Sequence, residues 1–193
     1  MLDETIKKTN RRKFIALLVL MCAPIVISYV LFYAEYRPGT VNYGELLDVK
    51  KIEGSGVNPL DNKIFRMKDL KGKWVMLIVD SGACDKACQE KLYFMRQVRM
   101  VQHKEKHRVE RLWLIDDDVV PNVELTKEYE GTLFVKTNDS ALLDAIPPKE
   151  SQRKHIYMVD PLGNLIMRYP EELNPTKMGK DIKRLLHVSQ LEH

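Results

Sequence analysis

The chain has 193 residues, of which 45% are hydrophobic and 30% are charged, so its length allows one domain with a sizeable core and a smaller appendage. Residues 1–13 carry five basic and two acidic side chains, which gives +3 of the total formal charge of +4. The remainder is therefore close to neutral. It has no basic patch interleaved with aromatic residues, which excludes nucleic acid as the expected partner.

The first predicted element is an apolar segment from Phe14 to Ala34, 21 residues without a charged side chain. A helix of that length crosses a bilayer core of roughly 30 Å. Because basic residues precede the segment, the positive-inside rule places the N-terminus in the cytoplasm and the rest of the chain outside it. We therefore predict a cytoplasmic basic tail (1–13), a transmembrane anchor (14–34), a turn-rich connector (35–58) and an exported domain (59–193).

Other interpretations of the apolar segment fit less well. A cleaved signal peptide usually has a shorter apolar core and a small-x-small cleavage site, and no Ala-x-Ala closes this segment. A lipoprotein normally carries a small residue before the modified cysteine, whereas Met21 precedes Cys22. A buried core helix would not explain the basic flank. The sequence favours an uncleaved anchor in which Cys22 is a small apolar residue.

The exported part alternates predicted strands with predicted helices. Apolar runs predict buried strands, and apolar residues at helical spacing predict the helices. A Pro-Leu-Gly-Asn turn predicts a hairpin. In chain order the predicted elements are a short strand at Ile64–Met67, a strand at Trp74–Val79, a helix from Asp85 to about Lys106, a strand at Val109–Ile115, a short strand at Thr132–Val135, a short helix capped by Asn138 or Asp139, a hairpin of Ile156–Val159 with Leu165–Tyr169, and a helix at Lys177–Val188.

This order of elements predicts an α/β fold. Strands that alternate with helices and then end in an antiparallel pair give a mixed sheet with helices on both faces. The predicted fold class is a thioredoxin-like mixed sheet flanked by helices, with one N-terminal transmembrane helix.

Two cysteines lie where the strand at Trp74–Val79 gives way to the next helix. Cys84 is at the mouth of that helix, where the positive end of the helix dipole lowers the pKa of a thiol. Cys88 follows four positions later on the same helical face. Outside the cytoplasm such a pair can form a structural disulfide, exchange with other thiols or bind a soft metal ion. Asp80, just before the loop, is placed to tune the thiols.

Four stretches carry a family resemblance. They are Leu70-Lys71-Gly72-Lys73-Trp74-Val75, Cys84-x-x-x-Cys88, Val159-Asp160-Pro161-Leu162-Gly163 and Lys180-Asp181-Ile182-Lys183-Arg184-Leu185-Leu186. Over residues 43–188 the chain resembles the Sco/SenC family, and it is most similar to a divergent bacterial transmembrane branch. The resemblance implies a thioredoxin-like domain, anchored in the inner membrane and facing the periplasm, that helps load copper into cytochrome c oxidase.

The resemblance also implies a ligand set, from which this sequence departs at two positions. The family motif is Cys-x-x-x-Cys-Pro, and Gln89 stands where the proline would be. The family has a histidine ligand nine residues before the proline of the hairpin turn, and that count from Pro161 reaches Gln152. His155, three residues later, is the nearest candidate. The expected copper ligands are therefore Cys84, Cys88 and His155.

Three functions remain open from the sequence. In the first, the protein is a copper chaperone that receives reduced cysteines from a periplasmic thiol reductase and passes Cu(I) to a cytochrome c oxidase subunit. In the second, it is a thiol–disulfide oxidoreductase in which an exposed Cys84 attacks and Cys88 resolves. In the third, it is an assembly scaffold without chemistry of its own.

Overall fold

The computed structural model describes residues 2–34, 42–137 and 140–189, which fall into two units, residues 1–41 and 42–193. The first unit contains a single helix, α1 (Leu2–Tyr33). Within its stretch from Arg11 to Tyr33, the most apolar 18 residues have a mean hydropathy of 2.7, and no residue of the stretch is buried, so its length and composition suit a membrane span. The predicted apolar helix is confirmed, and the basic residues before it belong to the same helix.

The second unit is built on one mixed sheet of eight strands in the order β1-β8-β7-β4-β5-β6-β2-β3. The strands pair in parallel between β4, β5 and β6, and antiparallel elsewhere. The strands are β1 (Glu45–Lys51), β2 (Ser55–Val57), β3 (Ile64–Arg66), β4 (Trp74–Asp80), β5 (Val109–Ile115), β6 (Thr132–Lys136), β7 (Tyr157–Val159) and β8 (Asn164–Arg168). The helices are α2 (Lys86–Met100), α3 (Val123–Glu128), α4 (Ser140–Asp144) and α5 (Pro175–Val188), with short 3-10 helices at Met67–Leu70, His103–Arg108 and Lys149–Lys154.

Strand β4 lies at the centre of this sheet, and all seven of its residues are buried. Successive side chains of a strand point to opposite faces, so β4 contributes to two apolar clusters. Met76 and Ile78 pack with residues of α2 and α5 on one face, while Leu77 and Val79 pack with residues around α4 on the other. The continuous apolar run of the sequence follows from this double burial. Helices on both faces of a mixed sheet confirm the predicted fold class.

The first two strands lie in residues 35–58, where the sequence predicted only a connector. β1 pairs with β8, and β2 pairs with β3 and β6. Most residues of β1 are exposed, so its sequence lacks the alternation of apolar and polar residues that reveals a half-buried strand. Backbone pairing at the sheet edge, rather than burial, holds it in place. The connector therefore ends before Glu45.

The helix after the Cys loop ends earlier than predicted. It was expected to reach about Lys106 but ends at Met100, and a 3-10 helix begins at His103, which has a φ of +49°. A left-handed residue interrupts the hydrogen-bond pattern of an α-helix. The predicted capping residues Asn138 and Asp139 lie outside the described residues.

The entry into the domain is tied to its last helix by one buried carboxylate. Asp181 of α5 is 4% exposed. Its Oδ2 accepts hydrogen bonds from the backbone N–H groups of Tyr43 at 2.7 Å and Gly44 at 2.9 Å. Because buried N–H groups are costly to leave without an acceptor, this carboxylate fixes the chain just before β1.

We expect Asp181→Ala to lower the free energy of unfolding by about 2–4 kcal/mol, because two backbone N–H groups lose the side-chain oxygen that accepts from both. Urea unfolding of the full chain in detergent micelles measures the change. Tryptophan fluorescence reports on the domain alone, because both tryptophans, Trp74 and Trp113, lie in it. The exposed Asp48 is the control, and Asp48→Ala should change the free energy by less than about 0.5 kcal/mol. If Asp181→Ala lowered the free energy of unfolding by no more than Asp48→Ala, the role assigned to Asp181 would be wrong.

Candidate thiol and metal site

The two predicted site cysteines, Cys84 in the loop after β4 and Cys88 in the first turn of α2, form a disulfide with a Cα–Cα distance of 5.1 Å. Cys84 lies outside the helix, with a φ of +43°, and its N–H donates to the carbonyl oxygen of Ser81 at 3.0 Å. Asp85 caps α2, since its Oδ1 accepts from the N–H of Cys88 at 2.9 Å. Cys88 is thus the third residue of the helix, and the helix start brings the two sulfurs together.

Gln89 holds the loop at the position where the Sco/SenC motif has proline. Its side-chain Nε2 donates to the carbonyl oxygen of Cys84 at 3.0 Å, and its backbone N–H donates to the carbonyl oxygen of Asp85 at 3.0 Å. A proline has neither donor. The Cys loop of this chain is therefore fixed by two hydrogen bonds that the family motif does not contain.

Both cysteines are buried, which corrects the expectation of an exposed Cys84. Cys84 is 2% exposed and Cys88 is 0% exposed. Both cysteines belong to the apolar cluster that contains residues of α2 and α5. The loop that follows β5, residues 116–121, rests on the Cys loop, and we call it the covering loop. Gly82 touches it so closely that a Cβ on Gly82 would overlap the carbonyl oxygen of Val119. This contact could not be read from the sequence, because it joins the loops that leave two different strands.

Asp117 of the covering loop fastens it to the Cys loop. Its Oδ1 accepts from the N–H of Gly82 at 3.0 Å and from the N–H of Val119 at 3.1 Å. Burial alone would raise the pKa of Asp117, but hydrogen bonds from Ser81, Gly82 and Val119, together with the charge of Arg153, outweigh burial and lower the pKa. Asp117 is therefore a carboxylate at neutral pH and keeps both hydrogen bonds.

A buried ion pair lies at the start of the Cys loop. Asp80 is 6% exposed, and its Oδ2 accepts from Nζ of Lys91 at 2.6 Å. Lys91 also donates to the carbonyl oxygen of Arg153, and Arg153 forms two hydrogen bonds of 2.9 and 2.8 Å with Asp116. The network joins β4, α2, the covering loop and residue 153, beside a cleft of about 770 Å³. Sequence reasoning singled out Asp80 but missed Lys91, whose only signal is its place one helical turn after Cys88.

His155 is not brought together with the cysteines. Its backbone is extended, with φ −118° and ψ 154°, and its ring packs edge to face against Tyr157 at 6.1 Å. Tyr157 belongs to the apolar cluster on one sheet face, while Cys84 and Cys88 belong to the cluster on the other. Nδ1 of His155 lies 2.9 Å from the carbonyl oxygen of Tyr169. The ring of His155 therefore lies beside Tyr157, on the sheet face opposite the two cysteines, and away from the predicted site.

The two sulfurs are what the site offers to a metal ion. Among the side chains that the structure describes, in residues 11–34, 42–137 and 142–189, no three His, Cys, Asp or Glu side chains are grouped so that they could hold a metal ion. Once the disulfide is reduced, two thiolates remain, and thiolates select soft ions such as Cu(I). The arrangement fits a two-sulfur site rather than the predicted Cys-Cys-His site.

Solved structures of similar fold include copper-bound Sco proteins and the domain of a thiol-disulfide oxidoreductase. Yeast Sco1 with copper bound is 16% identical, with a TM-score of 0.56, and the match covers 72% of this chain and 94% of that one. Bradyrhizobium japonicum ScoI with copper bound is 18% identical, with a TM-score of 0.52 and coverages of 69% and 98%. The thioredoxin domain of a Bacteroides vulgatus thiol-disulfide oxidoreductase is 15% identical, with a TM-score of 0.52 and coverages of 76% and 99%. At these identities the likeness confirms the thioredoxin-like fold and the structural resemblance to Sco proteins.

The sequence itself matches one family. No curated protein matches the chain, but a family profile described as "Transmembrane-like, thioredoxin-like, C-terminal domain" matches residues 74–189. The match spans more than half of the chain and contains β4, the Cys loop, the covering loop and α5. The chain therefore belongs to the family of transmembrane-like proteins with a thioredoxin-like C-terminal domain.

Proposed function

We propose that this protein is a membrane-anchored thiol–disulfide exchange protein whose domain faces the periplasm of a bacterium. The observation that carries the proposal is the disulfide between Cys84 and Cys88 at the start of α2. The apolar span of α1 supports the anchor, and the basic residues ahead of it support a cytoplasmic N-terminus. A thiol pair outside the cytoplasm meets oxidising conditions, so it needs a reductase to return it to the dithiol.

The exchange begins when a thiolate of the partner reductase attacks Sγ of Cys84. The Cys84–Cys88 bond breaks, and Sγ of Cys88 leaves with the bonding electron pair. Because Cys88 is the third residue of α2, the positive end of the helix dipole stabilises the new thiolate. A second partner thiolate then attacks the partner sulfur of the mixed disulfide and releases Cys84. The partner is oxidised to a disulfide, and two electrons have passed to the Cys pair.

Cys84 is the better target because it lies outside the helix. Its neighbours Ala83 and Asp85 are exposed, whereas Cys88 lies in the first turn of α2 and is 0% exposed. The covering loop rests on Gly82, two residues before Cys84, so a partner that binds at Cys84 also meets this loop. The order of attack thus follows from the position of each cysteine relative to the helix.

We expect Cys88→Ser to trap a mixed disulfide at Cys84 and Cys84→Ser to react at least about tenfold more slowly, because reaction rate follows thiol access. Both variants are made in a Cys22→Ser background, so that each carries one cysteine. Oxidised glutathione is added to the full chain in detergent micelles, and intact mass spectrometry follows the adduct. Equal rates in the two variants would contradict the assigned order of attack.

The unmodified pair provides the test of the function itself. A thioredoxin-type dithiol should reduce Cys84–Cys88 while tryptophan fluorescence shows that the domain remains folded. A bond that stays intact until the domain unfolds would reject thiol exchange and identify an inert structural bridge.

A second function is favoured by the copper in Sco structures of the same fold. In it, the reduced pair binds Cu(I) through two thiolates and passes it by ligand exchange to a subunit of cytochrome c oxidase. Two sulfurs four residues apart at a helix start can bind one soft ion together. The same reductase that serves thiol exchange would prepare this site, because the disulfide has no thiolate to offer.

Anaerobic titration of the reduced full chain with Cu(I) tests this second function. We expect one tightly bound equivalent, which is lost in Cys84→Ser and in Cys88→Ser because both sulfurs are required. We expect His155→Ala to bind as the unmodified chain does, because the ring of His155 packs against Tyr157. Absence of tight binding in the unmodified chain would reject copper delivery. Weakening by His155→Ala would restore the three-ligand site that the family resemblance implies.

A further inference from the structure

The cleft of about 770 Å³ that contains the buried ion pair also reaches the Cys loop. Asp85, the residue directly after Cys84, lines it. Other lining residues come from the first two turns of α2, from residues 153–154 and from residues 171–174, which lie between β8 and α5. A protein that attacks Cys84 therefore has this cleft next to the reacting sulfur, with room for a short segment of its chain.

The cations that line this cleft already have carboxylate partners. The pairs are Lys91–Asp80 at 2.6 Å, Arg153–Asp116 at 2.8 Å and Lys154–Glu171 at 3.1 Å. Because each positive charge has an acid of the same protein beside it, the cleft has little attraction left for an acidic ligand.

Three carboxylates of the same cleft have no such partner. Asp85, Glu90 and Glu172 are exposed, and none of them forms an ion pair with another side chain that the structure describes. Five carboxylates and three cations line the cleft, which gives a formal net charge of −2. Such unpaired charges attract an oppositely charged segment within about 8 Å at physiological ionic strength.

The cleft also has apolar surface next to these carboxylates. Phe94 follows Glu90 by one helical turn, and Leu173 directly follows Glu172. Both apolar side chains line the cleft and are half-buried. Among the side chains that the structure describes, no three acidic, His or Cys groups are placed to hold a metal ion. A lining that combines separate carboxylates with apolar surface suits a peptide segment.

We propose that this cleft binds the segment of the partner protein that contains the reactive cysteine, and that it selects segments with Lys or Arg beside that cysteine. The inference rests on the thiol exchange proposed above. Basic side chains of the segment pair with Glu90 and Glu172, and an apolar side chain covers Phe94 and Leu173. The attraction of opposite charges raises the rate of encounter and orients the segment towards Cys84.

Two synthetic peptides, Lys-Phe-Cys-Lys and Glu-Phe-Cys-Glu, test this selection. The cysteine of each peptide is supplied as a pyridyl disulfide, and the parent protein is the full chain with Cys22→Ser and Cys88→Ser in micelles of an uncharged detergent. The thiolate of Cys84 attacks the peptide sulfur, and thiopyridone leaves with the bonding electron pair. Its absorbance gives the rate. The ratio of the rate with the basic peptide to the rate with the acidic peptide is compared between variants, so the intrinsic reactivities of the peptides cancel.

We expect Glu90→Gln combined with Glu172→Gln to lower this ratio at least about fivefold, and Glu90→Gln alone to lower it roughly twofold. Both residues are exposed, so their replacement does not endanger folding. Asp85 stays in place because it caps α2. The control is Glu124→Gln, which removes an exposed carboxylate of α3 outside the cleft and should leave the ratio unchanged. Added sodium chloride should bring the ratios of the parent and the double variant together.

The docking site is rejected if the double variant keeps the ratio of the parent, or if Glu124→Gln lowers the ratio as much as Glu90→Gln. Thiol exchange has a separate measurement, which is the reduction of the Cys84–Cys88 bond by a dithiol in the folded domain. If that bond is reduced while the ratio does not respond to the two glutamates, only the docking site is wrong. A bond that resists reduction rejects both the exchange and the docking site.

Discussion

The parallel pairing of β4 with β5 is the constraint on which the rest of the structure depends. Seven consecutive residue pairs, from Trp74 with Val109 to Asp80 with Ile115, keep the two strands in register to their carboxyl ends. The loops that leave these ends therefore start side by side, and the N–H of Asp116 lies 3.4 Å from the carbonyl oxygen of Asp80. One loop contains Cys84, and the other rests on it. Without this register the Cys loop would lose its contacts with Val119 and Asp117 of the covering loop.

Those parts of the fold that are buried on both faces could be predicted from the sequence. The apolar runs of β4 and β5 gave their boundaries to within one residue, and the Cys pair was placed correctly at the start of α2. β1 could not be predicted, since an exposed edge strand is held by backbone hydrogen bonds that leave no pattern in side chains. The orientation of His155 depends on the phase of a three-residue strand, β7. A shift of one residue moves a ring to the opposite sheet face.

Charges are matched differently along the paired strands β4 and β5. At the carboxyl ends, opposite charges meet in the Asp80–Lys91 and Asp116–Arg153 pairs. Further back on β5, the buried Arg111 donates one hydrogen bond to the carbonyl oxygen of Glu130, and its Nε and Nη1 have no hydrogen-bond partner among the described residues. A protein interior of low polarity tolerates the first arrangement better than the second.

The contact between Gly82 and Val119 makes the covering loop part of the surface that a protein meets when it docks around Cys84. A small thiol or a metal ion interacts with the sulfurs alone, whereas a protein partner also contacts the covering loop, whose position depends on the hydrogen bonds of Asp117. The choice of partner therefore depends on residues 116–121 as well as on the cysteines, and two proteins with the same Cys-x-x-x-Cys sequence can serve different reductants.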